Sequence, residues 1–269
     1  FSAQQVDRSK LANLLDYYNS YDASKEENYM SKNFANTYFD LYSSQKIGFI
    51  REDIEFRYLH KEINERERAM AITSLIYAMD RISHTCGHYD SFIRDGKYHG
   101  DLVLKMPNNN YELNSENHIY CADSNMIAST ETVDVAYLDP PYNSRQYCDA
   151  YHLLENVARW EKPQVYGIAK KMDRSQMKSN YCKSIEAVKS LKDLVAKLNT
   201  RYILLSYNNN GKKLQCRSNA KMTDEEIFDI LSLRGEVKVF TMDYKGFDAG
   251  KSEFNKDNKE RLFLCSVNR

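Results

Sequence analysis

The sequence has few glycines, and their positions exclude one kind of nucleotide-binding loop. Only nine of its 269 residues are glycine, and no two of these glycines are separated by a single residue. A Gly-x-Gly turn lets a nucleotide approach the backbone closely after a strand, because glycine has no side chain in the way. The spacing therefore excludes a Gly-x-Gly loop anywhere in this chain.

Other scarcities narrow the class of protein further. No run of about 18 apolar residues occurs, so no membrane-spanning helix is predicted. The six cysteines are scattered without a Cys-x-x-Cys pair, which favours reduced thiols in a cytoplasmic protein over disulfides or a zinc site. The 38 basic and 38 acidic side chains balance, and a net charge of zero neither predicts nor excludes a nucleic-acid partner.

The second half of the sequence alternates between strand and helix patterns. Residues 184–198 predict a helix. A capping box at Thr223 predicts the start of another helix, and Gly235 is expected to end that helix. Repeated β-α-β units indicate a parallel or mixed sheet flanked by helices, which places the chain in the α/β class. The predicted strands are residues 118–122, 133–138, 202–207, 237–244 and 261–267.

The first half, from about residue 39 to residue 94, has a helical pattern. Residues 64–85 carry apolar side chains at steps of three and four, which is typical of an amphipathic helix. Residues 18–36 combine several tyrosines with many Asn, Ser and Asp residues. That composition predicts a loosely folded stretch before the helices.

The most informative motif is Asp139-Pro140-Pro141-Tyr142, directly after an apolar run. Neither proline can donate to a sheet ladder, so the strand ends there, at the edge where α/β sheets bind their ligands. A carboxylate, rigid carbonyls and an aromatic ring suit methylation of an exocyclic amino group on a planar base. S-adenosylmethionine would be the methyl donor, and no metal is needed. A simple surface turn is the alternative interpretation of the four residues alone.

The residues that follow this motif extend it to a longer pattern. Residues 139–147 read Asp-Pro-Pro-Tyr-Asn-Ser-Arg-Gln-Tyr, and residues 151–155 read Tyr-His-Leu-Leu-Glu. Both strings resemble the Dam-like DNA adenine N6-methyltransferases, most closely the methylases of restriction–modification systems. The resemblance implies a Rossmann-like, S-adenosylmethionine-dependent methyltransferase sheet with a helical recognition insert. It also implies that the last strand is antiparallel and inserted within the sheet.

The resemblance also implies roles for individual residues at the catalytic loop. Asp139 and the Pro140 carbonyl would accept the amino N–H groups of adenine and would also bind the cofactor, and Tyr142 would stack on the base. Asp123, with Ser124, would bind the cofactor, although capping a helix is an equal alternative for Asp123. The residues expected to contact the substrate base or DNA are Pro141, Asn143, Arg145, Gln146, Tyr147, Tyr207 and Lys212.

Further expectations concern Arg145, Tyr207, the basic segments and His152. Arg145 could instead pair with Asp139 or Asp149. Tyr207 is expected to supply a second aromatic face for the base. Basic residues in 170–178 and 212–221 suit phosphate contacts, with solvated loops as the alternative. Amino methylation needs no general base, so His152 is predicted to be a buried scaffold residue.

The amino end departs from the family. The family's glycine-rich cofactor loop precedes the segment that begins here, and this chain starts at Phe1 without it. We therefore expect residues 1–38 to be an irregular remnant of the cofactor half. Residues 39–112 would be the helical target-recognition insert, and residues 113–269 the α/β catalytic domain.

Three functions remain open on this sequence. The first is site-specific N6 methylation of adenine in duplex DNA within a restriction–modification system. The second is methylation of RNA amino groups, because Asp-Pro-Pro-Tyr loops also act on ribosomal guanine. The third is a non-catalytic DNA-binding fragment or subunit. Duplex DNA is the expected partner, and candidate protein partners are a separate N-terminal fragment with the cofactor loop and a cognate restriction enzyme.

Overall fold

A computed structural model describes residues 6–108, 117–208, 220–243 and 259–268. The chain divides into two compact units. A helical unit takes its described residues from Phe1–Ile119 and Tyr147–Gln176, and a sheet unit takes its own from Tyr120–Gln146 and Met177–Arg269. The elements are α1 (Arg8–Ser20), α2 (Tyr29–Phe34), α3 (Leu41–Leu59), α4 (Glu65–Ile82), α5 (Ser124–Ile127), β1 (Thr132–Leu138), α6 (Tyr147–Ala150), α7 (His152–Arg159), α8 (Ser184–Lys197), β2 (Asn199–Asn208), α9 (Asp224–Ser232), β3 (Gly235–Asp243) and β4 (Lys259–Val267).

The helical unit is organised around a buried arginine on α3. Arg51 is fully buried, and its Nε donates to the carbonyl oxygen of Val157 at 2.7 Å. Its guanidinium also pairs with Glu55 and lies 5.4 Å from the ring centroid of Trp160. A buried charge is tolerated only when it is paired and hydrogen-bonded, so these contacts hold α3 against the end of α7. Side chains from α1 to α4 and α7 complete the core, among them Leu15, Tyr18, Phe34, Ile50, Met70, Leu75 and Leu153.

The prediction of an irregular, loosely folded amino-terminal segment is wrong for residues 8–20 and 29–34, whereas residues 21–28 between them form neither helix nor strand. Residues 8–20 and 29–34 are helical, and Tyr18 is fully buried with its hydroxyl donating to Asp53 at 2.9 Å. The polar residues that suggested a loop include helix caps. Asn28, for example, caps α2 through reciprocal hydrogen bonds with Ser31. Some of the polar residues here therefore mark the start of a helix, as Asn28 does for α2. The apolar face of α1 packs in the core.

The expected domain boundaries also differ from the observed units. Residues 6–38 belong to the same unit as α3 and α4, so they are not a separate segment. Residues 147–176, expected in the catalytic domain, belong to the helical unit as well. The sheet unit is therefore discontinuous in sequence: the chain leaves it after Gln146 and returns at Met177.

Within the residues that the structure describes, the sheet unit has four strands in the order β1-β2-β4-β3. β1 is parallel to β2, whereas β4 is antiparallel to both β2 and β3. This arrangement confirms the expected antiparallel last strand within the sheet. One face packs on α8 and α9, and its core includes Leu191, Leu194, Ile203, Leu205, Ile227, Leu231, Phe263 and Cys265. Apolar side chains on the opposite face, such as Val135, Tyr137 and Tyr202, are exposed.

Most predicted elements form, with two corrections in the sheet unit. Residues 118–122 are not a strand: their side chains are exposed, and no described strand pairs with them. A short apolar run stays irregular when it has no neighbour to complete its hydrogen bonds. Gly235 does not close α9, which ends at Ser232, but begins β3. The predicted helices at residues 64–85 and 184–198 are confirmed as α4 and α8.

Gly235 has a packing role that a side chain would disrupt. A Cβ at this position would lie 1.9 Å from the carbonyl oxygen of Ser266 on the paired strand β4. We expect Gly235→Ala to lower the free energy of unfolding by about 1–3 kcal/mol, because β3 must shift away from β4. Chemical denaturation measures this, with Glu236→Ala as the control because that side chain is exposed. Equal stability of the two variants would contradict the close approach.

Candidate active site

The strand β1 delivers the Asp-Pro-Pro-Tyr loop to the carboxyl edge of the sheet. Leu138, its last residue, pairs with Leu205 of the parallel strand β2. Strand β2 continues to Asn208, so its last residues run beside the start of the loop. The Asp139 side chain is exposed, and its carboxylate accepts no hydrogen bond from another residue that the structure describes. The predicted strand and the loop that ends it are both present.

Tyr142 is held through both its ring and its backbone. Its carbonyl oxygen accepts hydrogen bonds from the Lys221 amide at 2.9 Å and from the Tyr207 hydroxyl at 3.3 Å. Its half-buried ring meets the Tyr207 ring edge to face, with centroids 6.4 Å apart at 83°. Such edge-to-face pairs are favourable because the positive ring edge meets the negative ring face. The middle of the loop is therefore fixed to the end of β2.

Tyr207 itself is buried, with only 1% of its surface exposed. Its hydroxyl accepts hydrogen bonds from the backbone amides of Lys221 at 3.2 Å and Met222 at 3.1 Å. Burial raises the pKa of this hydroxyl to about 12, so it stays protonated and able to donate at neutral pH. The ring was expected to offer a base a second aromatic face, but its burial leaves no exposed face for that purpose.

The far end of the loop is held by Gln146. Its Nε2 donates to the carbonyl oxygen of Ser179 at 3.0 Å, and its Oε1 accepts from the amide of Ser179 at 2.7 Å. The Cys182 thiol donates to the Arg145 carbonyl oxygen at 3.3 Å, and the Asn143 side chain accepts from the Arg145 amide at 2.8 Å. The Gln146 side chain therefore makes two reciprocal hydrogen bonds with the backbone of Ser179, as a neighbouring strand would. Its predicted contact with DNA stays a prediction.

Arg145 is exposed, and no ion pair joins its side chain to another of the described residues. Asp149, one of its proposed partners, pairs instead with Arg174 at 2.6 Å. The guanidinium of Arg145 is thus available to a ligand such as a DNA phosphate. The ion-pair alternative for this residue finds no support in the structure.

Asp123 caps a helix, as one of its two predicted roles required. Its Oδ1 accepts from the amide of Asn125 at 2.9 Å at the start of α5, next to Ser124. The side chain of Asn125 donates to the Ser190 carbonyl oxygen of α8 at 2.8 Å, which fixes the short helix. Asp123 and Ser124 are both exposed. Their binding of a cofactor stays a prediction.

The basic segment at residues 170–178 is partly neutralised within the helical unit. Lys171 pairs with Asp90, and Arg174 pairs with Asp149. These two side chains therefore serve internal ion pairs, which weakens the expectation that they contact phosphates. Lys212 and the rest of residues 209–219 lie outside the described residues.

Two exposed tyrosines directly follow the loop. Tyr147 and Tyr151 stack with centroids 6.0 Å apart and planes inclined by 16°. Their exposed fractions are 63% and 41%. Exposed aromatic rings of this kind are typical stacking surfaces for nucleobases. Tyr147 was among the residues expected to contact DNA, whereas Tyr151 was not.

His152 is a scaffold residue, as predicted. It is fully buried, and its Nε2 forms a hydrogen bond with the carbonyl oxygen of Tyr89 at 2.8 Å. A carbonyl can only accept, so Nε2 carries the proton of the neutral ring. Burial lowers the pKa of His152 from 6.5 to about 4, which keeps it neutral at physiological pH.

A metal-ligand cluster or a cavity beside the loop would bear on its chemistry. The residues that the structure describes contain no group of His, Cys, Asp or Glu side chains able to hold a metal ion. A cavity of about 600 Å³ opens at the opposite edge of the sheet, beside Thr132, Asn199 and Arg234. It does not border Asp139, so we assign it no part in the chemistry.

Within the described ranges, no helix is both long and apolar enough to cross a membrane.

The residues that hold the loop were missed by sequence reasoning. Ser179, Lys221 and Met222 act through backbone atoms, which any residue type could supply. They also come from segments distant in sequence from the loop. No local motif marks them, so only the folded arrangement identifies them.

Comparisons with known proteins agree on one family. The model of the D12 class N6 adenine-specific DNA methyltransferases matches residues 4–217. The modification methylase StsI of Streptococcus sanguinis is 32% identical over 255 residues, which are 93% of this chain and 36% of StsI. The type II methyltransferase M.FokI of Planomicrobium okeanokoites is 31% identical over 234 residues, which are 84% of this chain and 34% of that protein.

A shorter relative shows the same similarity. The type II methyltransferase M.NlaIII of Neisseria lactamica is 29% identical over 223 residues, which are 82% of this chain and 63% of that protein. The chain thus spans about a third of the length of StsI and M.FokI, and a larger share of M.NlaIII. No solved structure matches the chain at a significant level.

The buried His152 predicts a pH dependence of stability. Its pKa is about 4 in the folded protein and near 6.5 in the unfolded chain, so only the unfolded chain binds this proton between those values. The free energy of unfolding should therefore fall as pH drops from 6.5 to 4, by up to about 3 kcal/mol from this group. His152→Gln should remove that part of the slope in denaturation series, whereas His60→Gln, at an exposed site, should retain it. Identical slopes in wild type and His152→Gln would contradict this assignment.

Proposed function

The chain belongs to the D12 class of N6 adenine-specific DNA methyltransferases, and from this we propose that it methylates adenine N6 in duplex DNA. The methyl donor is S-adenosylmethionine, and the biological role is modification within a restriction–modification system. The observation that carries the proposal is the exposed Asp139 at the carboxyl end of β1, followed by Pro140, Pro141 and Tyr142. The named relatives, which are modification or type II methylases, support it.

Asp139 and Pro140 would make the amino group of the base nucleophilic. The nitrogen lone pair of an adenine amino group is delocalised into the ring, which makes it a weak nucleophile. A carboxylate oxygen and a backbone carbonyl that accept its two N–H bonds favour a pyramidal nitrogen with a localised lone pair. Asp139 is exposed and Pro140 is half-buried, so both acceptors are accessible to a base turned out of the duplex.

Tyr142 would hold the flipped base by stacking. Its ring is half-buried, and the edge-to-face contact with Tyr207 fixes its orientation. A base that leaves the duplex loses its stacking partners, and an aromatic ring replaces part of that energy. Tyr142 therefore contributes to binding the base, while Asp139 contributes to its reactivity.

Some of the described residues have the positions and polar atoms that would suit binding of the cofactor. S-adenosylmethionine supplies an electrophilic methyl group when it is bound. Asp139 and Pro140 lie at the sheet edge where that group must meet the base, and the exposed Asp123 and Ser124 offer oxygen atoms for a nucleoside. No Gly-x-Gly loop occurs in this sequence, so the residues named here would account for contacts to the nucleoside and the methyl group, and not for the methionine part.

The exposed side chains after the loop would contact DNA outside the base pocket. Arg145 is available to a phosphate, and the stacked pair Tyr147 and Tyr151 offers ring surfaces to bases. Asn143 and Pro141, both half-buried in the loop, would border the flipped adenine. Target recognition would fall to the helical unit, and Lys212 would contribute a phosphate contact.

An RNA substrate and a non-catalytic role are the competing functions. The matching family is specific for adenine in DNA, which favours DNA over RNA. The loop is intact and is anchored at its middle, through Tyr142, and at its far end, through Gln146, which favours catalysis over binding alone. Because the chain covers only part of its longer relatives, the activity of this polypeptide itself needs a direct test.

The test is to incubate the protein with S-adenosylmethionine labelled in its methyl group and with mixed-sequence duplex DNA. A parallel reaction contains RNA. We expect labelled N6-methyladenine from the DNA reaction after digestion to nucleosides. Label in another nucleoside, or in the RNA reaction alone, would overturn the substrate assignment. Absence of label in both would overturn the proposal that this polypeptide is sufficient for transfer.

The role of the carboxylate is testable with an isosteric change. Asp139→Asn removes the negative acceptor, so kcat for DNA methylation should fall by about 10²–10³-fold. The matched control is Asp134→Asn, because Asp134 is an exposed carboxylate on β1, the strand that leads into the loop, and its partner is Arg201. Initial rates of label incorporation measure both. Equal activity of the two variants would remove Asp139 from the mechanism.

Two substitutions of Tyr142 distinguish the contribution of its ring from that of its hydroxyl. Tyr142→Ala removes the ring and should raise KM for DNA by about 10-fold or more, in line with stacking energies of a few kcal/mol per base. KM for S-adenosylmethionine should change less than KM for DNA. Tyr142→Phe keeps the ring and should retain wild-type KM values. Equal increases in both KM values for Tyr142→Ala would argue against base stacking.

A further inference from the structure

We propose that Tyr207 is a positioning residue, whose buried hydroxyl holds the Asp-Pro-Pro-Tyr loop in the geometry that methyl transfer requires. This inference rests on the proposed function, since it assigns Tyr207 a part in the same reaction. It replaces the expected base-stacking role of Tyr207 with a role exerted through Tyr142.

The hydroxyl of Tyr207 connects two segments that are distant in sequence. It donates to the Tyr142 carbonyl oxygen at 3.3 Å and accepts from the amides of Lys221 and Met222 at 3.2 and 3.1 Å. A tyrosine hydroxyl has one donor and two acceptor sites, so all of its hydrogen-bonding capacity is used. The loop and the segment leading into α9 are thereby joined at one atom.

The loop needs such an external anchor because of its composition. Pro140 and Pro141 have no N–H group, so neither can be fixed by donating a backbone hydrogen bond. The anchored atom is instead the Tyr142 carbonyl oxygen, immediately after the two prolines. Two donors converge on it, the Lys221 amide and the Tyr207 hydroxyl. Loss of the hydroxyl would leave one of them and would deprive the buried Met222 amide of its acceptor.

Tyr207 also orients the ring that would hold the base. The edge-to-face contact with Tyr142 comes from the same side chain that fixes the Tyr142 carbonyl. Replacement of Tyr207 by phenylalanine keeps the ring contact and removes only the hydroxyl. That substitution therefore separates the positioning of the loop backbone from the packing of the two rings.

A loosened loop should affect rate more than binding. A displacement of about 1 Å in a reacting group can cost about 100-fold in rate. Because the ring of Tyr142 remains packed in Tyr207→Phe, base stacking and KM should change little. We therefore expect kcat to fall by about 10-fold or more, with KM for DNA within about 2-fold of the wild type.

The test uses Tyr207→Phe with Tyr18→Phe as the matched control. Tyr18 is also fully buried and also donates its hydroxyl, to Asp53 at 2.9 Å, but it lies in the helical unit. Both variants lose one buried hydroxyl, so a general loss of stability would appear in both. The measurements are steady-state methylation kinetics and amide hydrogen exchange of peptides covering residues 139–146 and 221–222.

The expected result is exchange at least about 5-fold faster in both peptides of Tyr207→Phe, together with the fall in kcat. Tyr18→Phe should show neither change. Unchanged exchange in Tyr207→Phe would overturn the inference whatever its activity, and so would faster exchange with a wild-type kcat. If the wild type transfers no methyl group while exchange is faster in Tyr207→Phe, the proposed function fails and Tyr207 remains the anchor of the loop.

Discussion

The register between β1 and β2 determines which residues meet at the candidate active site. Leu138 pairs with Leu205, so the loop that begins at Asp139 runs beside the last residues of β2. Alternate residues of β2 face the helices, which places Leu205 and Tyr207 on the buried side. A slip of one residue would turn Tyr207 to the opposite face and remove its hydroxyl from Tyr142. The apolar pattern that buries β2 therefore also positions the loop.

The loop combines an anchored backbone with exposed functional side chains. Tyr207 and Lys221 hold its middle, and Ser179 holds Gln146 at its end. Asp139 projects from the anchored backbone into solvent. A site whose backbone is fixed before the substrate binds needs less reorganisation in the transition state. This division explains why several loop residues, among them Gln146, serve the scaffold even though they belong to the motif.

Local signals predicted the parts of the fold that local interactions form. The periodicity of α4 and α8, the capping box at Thr223 and the strand before the motif each depend on neighbouring residues, and each is present. Residues 118–122 failed as a strand because a strand also needs a partner, which the local pattern does not reveal. The amino-terminal helices were missed because cap residues resemble loop residues in composition. At the site, Asp139 and Tyr142 were identified from the motif, whereas the anchoring role of Tyr207 depends on distant backbone atoms.

The position of β4 in the sheet has a consequence for how the protein is made. β4 is the last strand in the sequence, yet it lies between β2 and β3 and joins them. A nascent chain that has reached β3 cannot yet attach it, so the sheet cannot grow strand by strand during synthesis. The edge of β2 that pairs with β4 stays unpaired until residues 259–267 are made, and an unpaired strand edge is prone to aggregation. A ribosome that stops before this strand would therefore release a β1–β2 pair with β3 detached from it, and not a sheet that has merely lost an edge.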